Sequence, residues 1–415
     1  MIRVCDAIMG TGKSSAAITY MNEHKDQKFI YITPYLDEAE RIKKGCPELK
    51  FVEPSDKIGD CGFSKSKHTA VLIKEGRNIA STHQAFKRYS EEMLDDINKN
   101  EYTLIIDENL DILESYECHP DDMQLAIDAG YIEESDEAYT LVRDGYCGER
   151  FRDMFELMKV RQLIKMEEGN DPKLFYWLLP PNLITSFKDV IVMTYMFSGQ
   201  SINYFLKMYN LPFEYVGIEK DSDDTYRFCE YPGYTPEYVH HIKDMIHILD
   251  NERMNSIGDN FHALSMTWYE TKKDKVTQLK KNMHNCVNNI WKDAPADEKL
   301  WGAFKTHSSK IKGLGYSRAF LTFNARATNA YRNRKYLIYA VNIFMNVSEK
   351  KFYERHGIRV NEDLYALSIM VQWIWRSAIR DGDEIYLYIP SRRMREMLIN
   401  WMDKVGKEGN KINEK

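Results

Sequence analysis

Three groups of residues in this 415-residue chain have types and spacing suited to chemistry on phosphate. The first is Ala7-Ile8-Met9-Gly10-Thr11-Gly12-Lys13-Ser14-Ser15. Its glycines let backbone N–H groups turn inward around phosphate oxygens, and a helix opening at Lys13 adds the positive end of its dipole. In such a loop Met9, Gly10, Thr11, Gly12, Lys13, Ser14 and Ser15 would line the phosphates. Lys13 would reach the outer phosphates and Ser14 would ligate Mg2+. The second group is Leu104-Ile105-Ile106-Asp107-Glu108, an apolar run ending in two acids. Here Asp107 would hold the metal and Glu108 would orient and deprotonate an attacking water. The third is Gln372-Trp373-Ile374-Trp375-Arg376-Ser377-Ala378-Ile379-Arg380. If this segment is helical, Gln372, Arg376 and Arg380 share one face, and an amide with two guanidiniums suits a charged phosphoryl transition state.

The elements around these groups read as an α/β chain. Ile2–Cys5 is a short apolar strand before the glycine loop. Phe29–Ile32, Asn78–Ser81, Thr103–Ile106 and Val190–Thr194 read as further buried strands, with a helix from Lys13 and another over Asp37–Lys44. Continuous apolar strands alternating with helices predict parallel sheets covered on both faces. The stretch of about 111–185 reads as a mostly helical, acidic insertion, with helices over Asp121–Ala129 and Phe151–Met166. Pro232-Gly233-Tyr234-Thr235-Pro236 is the expected boundary between a domain of residues 1–232 and one of residues 233–415. In the second domain Ala263–Trp268, Ala319–Phe323 and Glu384–Ile389 read as strands.

Charge divides the chain. Residues 271–415 carry 28 Lys+Arg against 15 Asp+Glu, a net of +13, whereas the first 270 residues carry 29 against 48, a net of −19. One reading is two separately solvated surfaces; the other is a C-terminal part that faces an anion such as a nucleic-acid backbone. The apolar fraction of 43% excludes wholesale disorder. No apolar run approaches a membrane span, and the start of the chain has no signal-peptide layout. Seven scattered cysteines with no C-x-x-C pair argue for a reducing cytoplasm and against a disulfide framework or a zinc site.

The ordered set Ala-x-x-Gly-x-Gly-Lys-Ser, Asp107-Glu108 and Gln-x-x-x-Arg-x-x-x-Arg resembles a superfamily 2 helicase of the DEAD/DEAH-like kind. Together with Asn324-Ala325-Arg326-Ala327-Thr328-Asn329, it is similar to compact helicase-like proteins of tailed bacteriophages. The resemblance spans nearly the whole chain and implies two RecA-like P-loop domains, the first with an insertion. It implies ATP and Mg2+ as cofactors and an arginine finger at Arg376, with Arg380 beside it. Thr33-Pro34, Ser81-Thr82 and Arg326 with Thr328 would hold nucleic-acid backbone, and Thr194 would couple the two activities. The chain departs from the pattern in three places. Its last two arginines are one residue further apart than usual, so the resemblance supports Arg376 more directly than Arg380. Asn109-Leu110 follows the acidic pair, and the six residues before Ala7 leave no room for an adenine-reading glutamine motif.

The expected function is therefore an ATP-dependent nucleic-acid helicase of phage DNA replication or repair, located in the cytoplasm of the host. Its expected partners are nucleic acid, DNA ahead of RNA, and other replication proteins. Two alternatives stay open: a duplex translocase without strand separation, and a nucleotide-gated binding protein with slow hydrolysis. A small-molecule P-loop kinase is disfavoured because it needs no second basic domain. His240, His241 and His247 lack the cysteines or carboxylates of a metal site. Trp373 and Trp375 read as core rather than as base-stacking platforms.

Overall fold

The computed structural model describes residues 1–34, 36–56, 64–166, 174–231, 242–325 and 330–405. The chain forms two compact units, Met1–Tyr231 with Asn346–Val360, and Pro232–Met345 with Asn361–Lys415. The expected boundary at Pro232–Pro236 and the histidines His240 and His241 lie outside the described residues.

The strands of the first unit are, in chain order, β1 (Ile2–Asp6), β2 (Phe29–Thr33), β3 (Ile79–Thr82), β4 (Thr103–Asp107), β5 (Leu113–Tyr116), β6 (Ile132–Glu134), β7 (Ala138–Leu141), β8 (Gln162–Met166), β9 (Leu174–Leu178), β10 (Asp189–Thr194), β11 (Phe213–Lys220) and β12 (Tyr226–Glu230). Seven of them make one sheet in the order β12-β11-β1-β10-β4-β2-β3. All neighbours in it are parallel except the β11–β12 hairpin. The parallel sheet matches expectation, because β2 and β4 are buried along their whole lengths and must be covered on both faces. Helices α1 (Lys13–Glu23) and α2 (Leu36–Gly45) cover one face. Ala17 and Met21 of α1 and Ala39 and Ile42 of α2 pack against Cys5, Phe29, Tyr31, Ile105 and Met193. Each of the larger ones, such as Met21, Ile42, Phe29 and Ile105, contributes about 1.5–3 kcal/mol to the core. The helix Val347–Arg355 also belongs to this unit. The Ser201 hydroxyl donates to Glu349 at 2.6 Å, and the rings of Tyr204 and Tyr353 lie 5.3 Å apart.

The second unit holds β13 (Ile246–Ile248), β14 (Lys299–Ala303), β15 (Phe320–Thr322), β16 (Tyr336–Tyr339) and β17 (Ile385–Tyr388), all parallel in the order β13-β17-β16-β14-β15. The strand expected at Ala263–Trp268 is not one. Leu264 turns the chain with φ 63°, and the Ser265 hydroxyl accepts from the Trp268 N–H, capping a helix over Met266–Thr271. A serine N-cap overrides the short apolar run before it. Trp373 and Trp375 are core, as expected.

The insertion is built differently from its expected helical form. Its framework is an antiparallel sheet in the order β5-β9-β8-β7-β6, carrying helices Pro120–Asp128 and Arg152–Met158. The helix expected to run from Phe151 to Met166 stops at Met158, and Gln162–Met166 is a strand. Leu163 of that strand pairs with Trp177 of β9, and both enter a core with Met123, Met154, Phe155 and Phe175. An aromatic-rich partner strand favours pleated pairing, and its effect acts across the sheet rather than along the helical period.

One polar knot joins this insertion to the end of the short helix His83–Phe86 that follows β3. Glu114 of β5 accepts from the Lys87 ammonium and from Arg161 Nη1 at 2.7 Å, while Arg161 Nη2 donates to the Trp177 carbonyl at 3.3 Å. The two cationic side chains are almost fully buried. Burial alone would raise the Glu114 pKa, but Lys87 and Arg161 outweigh it and hold the carboxyl at about 2. The stabilisation is present above the ordinary carboxyl range and is lost as pH falls toward 2. Glu114→Ala strands two buried cations and is expected to cost roughly 3–5 kcal/mol at pH 7. Urea unfolding of the variant measures this, and a loss below about 1 kcal/mol would contradict the assignment.

Candidate phosphate site at the carboxyl edge of the first sheet

The strand register assembles this site. Asp6 of β1 lies opposite Thr194 of β10, and Met193 of β10 lies opposite Asp107 of β4. Three adjacent parallel strands therefore end level, and the glycine loop, Thr194 and the Asp107–Glu108 pair emerge on one edge. In open α/β sheets that edge is where ligands bind.

The loop leaves β1 at Ala7, whose N–H donates to the Thr194 carbonyl at 3.0 Å. The Thr11 hydroxyl donates to the Ile8 carbonyl at 2.7 Å and closes the turn. Gly10 and Gly12 have φ of 84° and 92°, a region that disfavours side chains. At Gly12 a Cβ would also overlap the ring of Tyr226, so this position is doubly restricted. Gly12 is the N-cap of α1, and Met9, Ser14 and Ser15 flank it half-buried. The Lys13 ammonium donates to the carbonyls of Ala7 at 2.5 Å and Ile8 at 3.1 Å. Lys13 thus folds over its own loop, and desolvation holds its pKa below the ordinary lysine value.

Asp107 is buried at the end of β4, where its Oδ2 accepts from the Tyr31 hydroxyl at 2.8 Å. His83 Nε2 meets the Asp107 carbonyl at 2.9 Å. Burial raises the Asp107 pKa to about 7; Glu108 and Glu38 add to the rise, and Tyr31 and Lys13 oppose it. Asp107 and Ser14 offer hard oxygens, and Mg2+ characteristically takes one or two carboxylates and leaves its other positions to water and phosphate. Among the described residues no cluster of three or more His, Cys, Asp or Glu forms a metal cage. Glu108 is half-buried with φ 63°, and its N–H donates to the Met193 carbonyl at 2.9 Å. Thr194 donates through Oγ1 to Gln200 Oε1 at 2.7 Å, and Gln200 Nε2 donates to the Tyr195 carbonyl at 2.7 Å.

The remaining candidates fall elsewhere. Thr33 and Thr82 are register partners at the carboxyl ends of β2 and β3, with Ser81 one residue before. Thr33 and Ser81 are buried, and among the described residues the Thr33 hydroxyl has no hydrogen-bond partner. Thr82 spends its hydroxyl on the Ala85 N–H as an N-cap, and Pro34 is half-buried. Gln372, Arg376 and Arg380 do not share a helical face. Their helix, Glu362–Ile374, ends at Trp375, and Ala378–Asp381 form a 3-10 turn closed by Gly382 at φ 85°. The Ala378 N–H donates to the Arg334 carbonyl, a long-range bond that takes the chain off the helical path. Arg376 is buried there and Arg380 is exposed. Arg326 and Thr328 lie outside the described residues. Tyr31, His83 and Gln200 were not legible as site residues. Tyr31 looks like core within an apolar strand and Gln200 carries no motif spacing, while His83 stands in the run Ser81-Thr82-His83-Gln84, which the resemblance assigned to nucleic-acid backbone rather than to the acidic pair.

The fold and this edge define an α/β protein with a glycine loop and an acidic strand end brought together on a parallel sheet. Residues 240–402 match the family described as the YonV C-terminal Rossmann-like domain. The SPbeta prophage-derived protein YonV of Bacillus subtilis (strain 168) is 34% identical over 97% of this chain and 98% of its own length. The chain belongs to the YonV family. Among solved structures, an apo XPD matches over 96% of this chain and 95% of its own, at 12% identity and a TM-score of 0.48. Xpd4 of S. tokodaii matches over 96% and 94%, at 11% identity and a TM-score of 0.49. Among the described residues no helix is long and apolar enough to cross a membrane.

Asp107 binds its proton more tightly in the folded chain than at its ordinary value of 3.8. Without a cation, its contribution to stability is therefore full below about pH 4 and is lost as pH rises toward 7. Asp107→Asn is expected to remove that decline, leaving the variant more stable than the parent at pH 8 by roughly 2–4 kcal/mol. Urea unfolding at pH 5 and pH 8 in EDTA checks this; parallel pH dependence in both proteins would refute it.

Proposed function

We propose that the protein is a nucleic-acid-dependent ATPase of the helicase type, serving phage DNA replication or repair. The observation that supports it best is the register of β1, β10 and β4, which sets Lys13–Ser14, Thr194 and Asp107–Glu108 on one edge. ATP binding requires the Lys13 ammonium to leave the Ala7 and Ile8 carbonyls and meet phosphate oxygens instead. Backbone N–H groups of Gly10–Ser15 then cradle the phosphates at the start of α1. Mg2+, held by Ser14 and Asp107, would supply neutralising charge on the phosphate oxygens. Glu108 orients the attacking water and accepts its proton. The Thr194–Gln200–Tyr195 chain of hydrogen bonds begins beside Asp107 and is the candidate relay from this edge. The basic balance of residues 271–415 supports an anionic polymer as partner, and the prophage origin of YonV supports the phage setting. Of the grips proposed in the first unit, Pro34 and Thr82 keep some exposure.

Turnover measured with no polymer, single-stranded DNA, duplex DNA and RNA tests the reading. Stimulation by single-stranded DNA, with strand separation, supports a helicase; stimulation by duplex without separation supports a translocase. Slow turnover that no polymer changes supports a nucleotide-gated binding protein. Lys13→Ala is expected to lower turnover at least a hundredfold with the fold intact, and Glu108→Gln to bind ATP normally while hydrolysing it at least a hundredfold more slowly. Near-parental rates in both would remove the assignment.

A further inference from the structure

The hairpin β11–β12 stands beside the phosphate loop and has no part in the chemistry above. β11 runs parallel to β1 from the pairing Ile2–Phe213, but it has eight residues where β1 has five. Its end therefore overshoots the carboxyl edge of the sheet. Lys220, its last residue, pairs with Tyr226, the first residue of β12. The ring of Tyr226 packs directly on Gly12, where a Cβ would overlap Cγ, Cδ1 and Cε1. One wall of the glycine loop is thus an aromatic ring. The Lys220 ammonium lies 5.7 Å from that ring's centroid and is tethered to Asp224 at 2.7 Å, among exposed residues of the hairpin tip.

The hairpin is held firmly. Phe228 meets Tyr20 of α1 edge to face at 6.0 Å, and Arg227 donates to Glu23 of α1 at 3.0 Å and to Asp221. The ring is therefore fixed relative to the helix that would carry the phosphates.

Polarity along the sheet decides what this ring would meet. Asp107 and Glu108, which mark the outermost phosphate, end β4, two strands from β1 on one side. β11 and β12 flank β1 on the other. A triphosphate with its outer end toward β4 must direct its nucleoside toward β11 and β12. There it reaches Tyr226, where Lys220 on its partly exposed stem must give way by leaving Asp224.

We infer that Tyr226 is the nucleobase platform of this site, and that the site takes nucleoside triphosphates with little preference among bases, adenine and guanine included. The inference rests on the phosphate-loop reading given above. An aromatic face stacks on any base, because every base has a π-face, and it reads none of the hydrogen-bonding edges that distinguish them.

The experiment uses the full chain with Mg2+ and titrates ATP, GTP and inorganic tripolyphosphate onto the parent, Tyr226→Phe and Tyr226→Leu. Leucine keeps apolar volume against Gly12 but has no flat face. Thermal melting verifies that each variant is folded. The expected result is parental affinity for all three ligands in Tyr226→Phe. Tyr226→Leu should lose about tenfold or more for ATP and GTP alike, with tripolyphosphate unchanged. Unchanged nucleotide affinity in Tyr226→Leu overturns the platform. An equal loss for tripolyphosphate overturns it too, because the ring would then only prop the loop. A parent that prefers ATP over GTP by more than about tenfold overturns the base tolerance. A parent that binds neither tripolyphosphate nor nucleotide instead removes the phosphate-loop reading beneath the inference.

Discussion

The level ending of β1, β10 and β4 is the constraint on which the rest of the candidate site depends. Parallel strands in register deliver successive loops to one edge at a spacing fixed by hydrogen bonding, about 4.8 Å per strand. With β10 between β1 and β4, the glycine loop and the acidic pair stand two strand spacings apart, room for a phosphate group and a metal between them. A slip of one residue in either pairing would turn Asp107 or Thr194 to the opposite face of the sheet. The apolar strands therefore protect the chemistry indirectly: Ile105, Ile191 and Met193 are buried in the core that fixes the register.

Polar contacts within the chain hold that edge. Lys13 rests on two carbonyls of its own loop, and Asp107 rests on Tyr31 while its burial favours the protonated form. Such an arrangement limits the cost of burying an ammonium and a carboxyl. Asp6 belongs to the same frame. Its carboxylate accepts from the N–H groups of Met196 and Phe197 and ties the end of β10 back to β1.

The insertion is tied to the sheet by charge as well as by packing. Glu114 lies between Lys87, just past the end of the helix His83–Phe86, and Arg161, just before β8. His83 of that same short helix contacts the Asp107 carbonyl. The insertion is thus two residues' contacts removed from the acidic pair, through elements within one compact unit. Buried ion pairs of this kind fix geometry more than they add stability, because desolvation offsets much of their attraction.

The sequence by itself determined the parts that are local. Ala7–Ser15, Asp107-Glu108 and the apolar strands before them are contiguous signals, and strand, glycine turn and helix follow from residue types within a few positions of one another. The α/β class followed from strands apolar along their whole length. The pairings were decided only by tertiary structure. No local pattern announces that Gln162–Met166 will pair with Leu174–Leu178 rather than continue a helix, because the stabilising contacts are cross-strand. Helical spacing alone placed Arg376 and Arg380 on the face of Gln372, but a bond from Ala378 to distant Arg334 ends that geometry. Tyr31, Gln200 and Tyr226 gained their places beside the loop through strand order, which brings together residues up to about two hundred positions apart. Burial and proximity are properties of the packed chain, and so are the shifted proton affinities of Lys13 and Asp107.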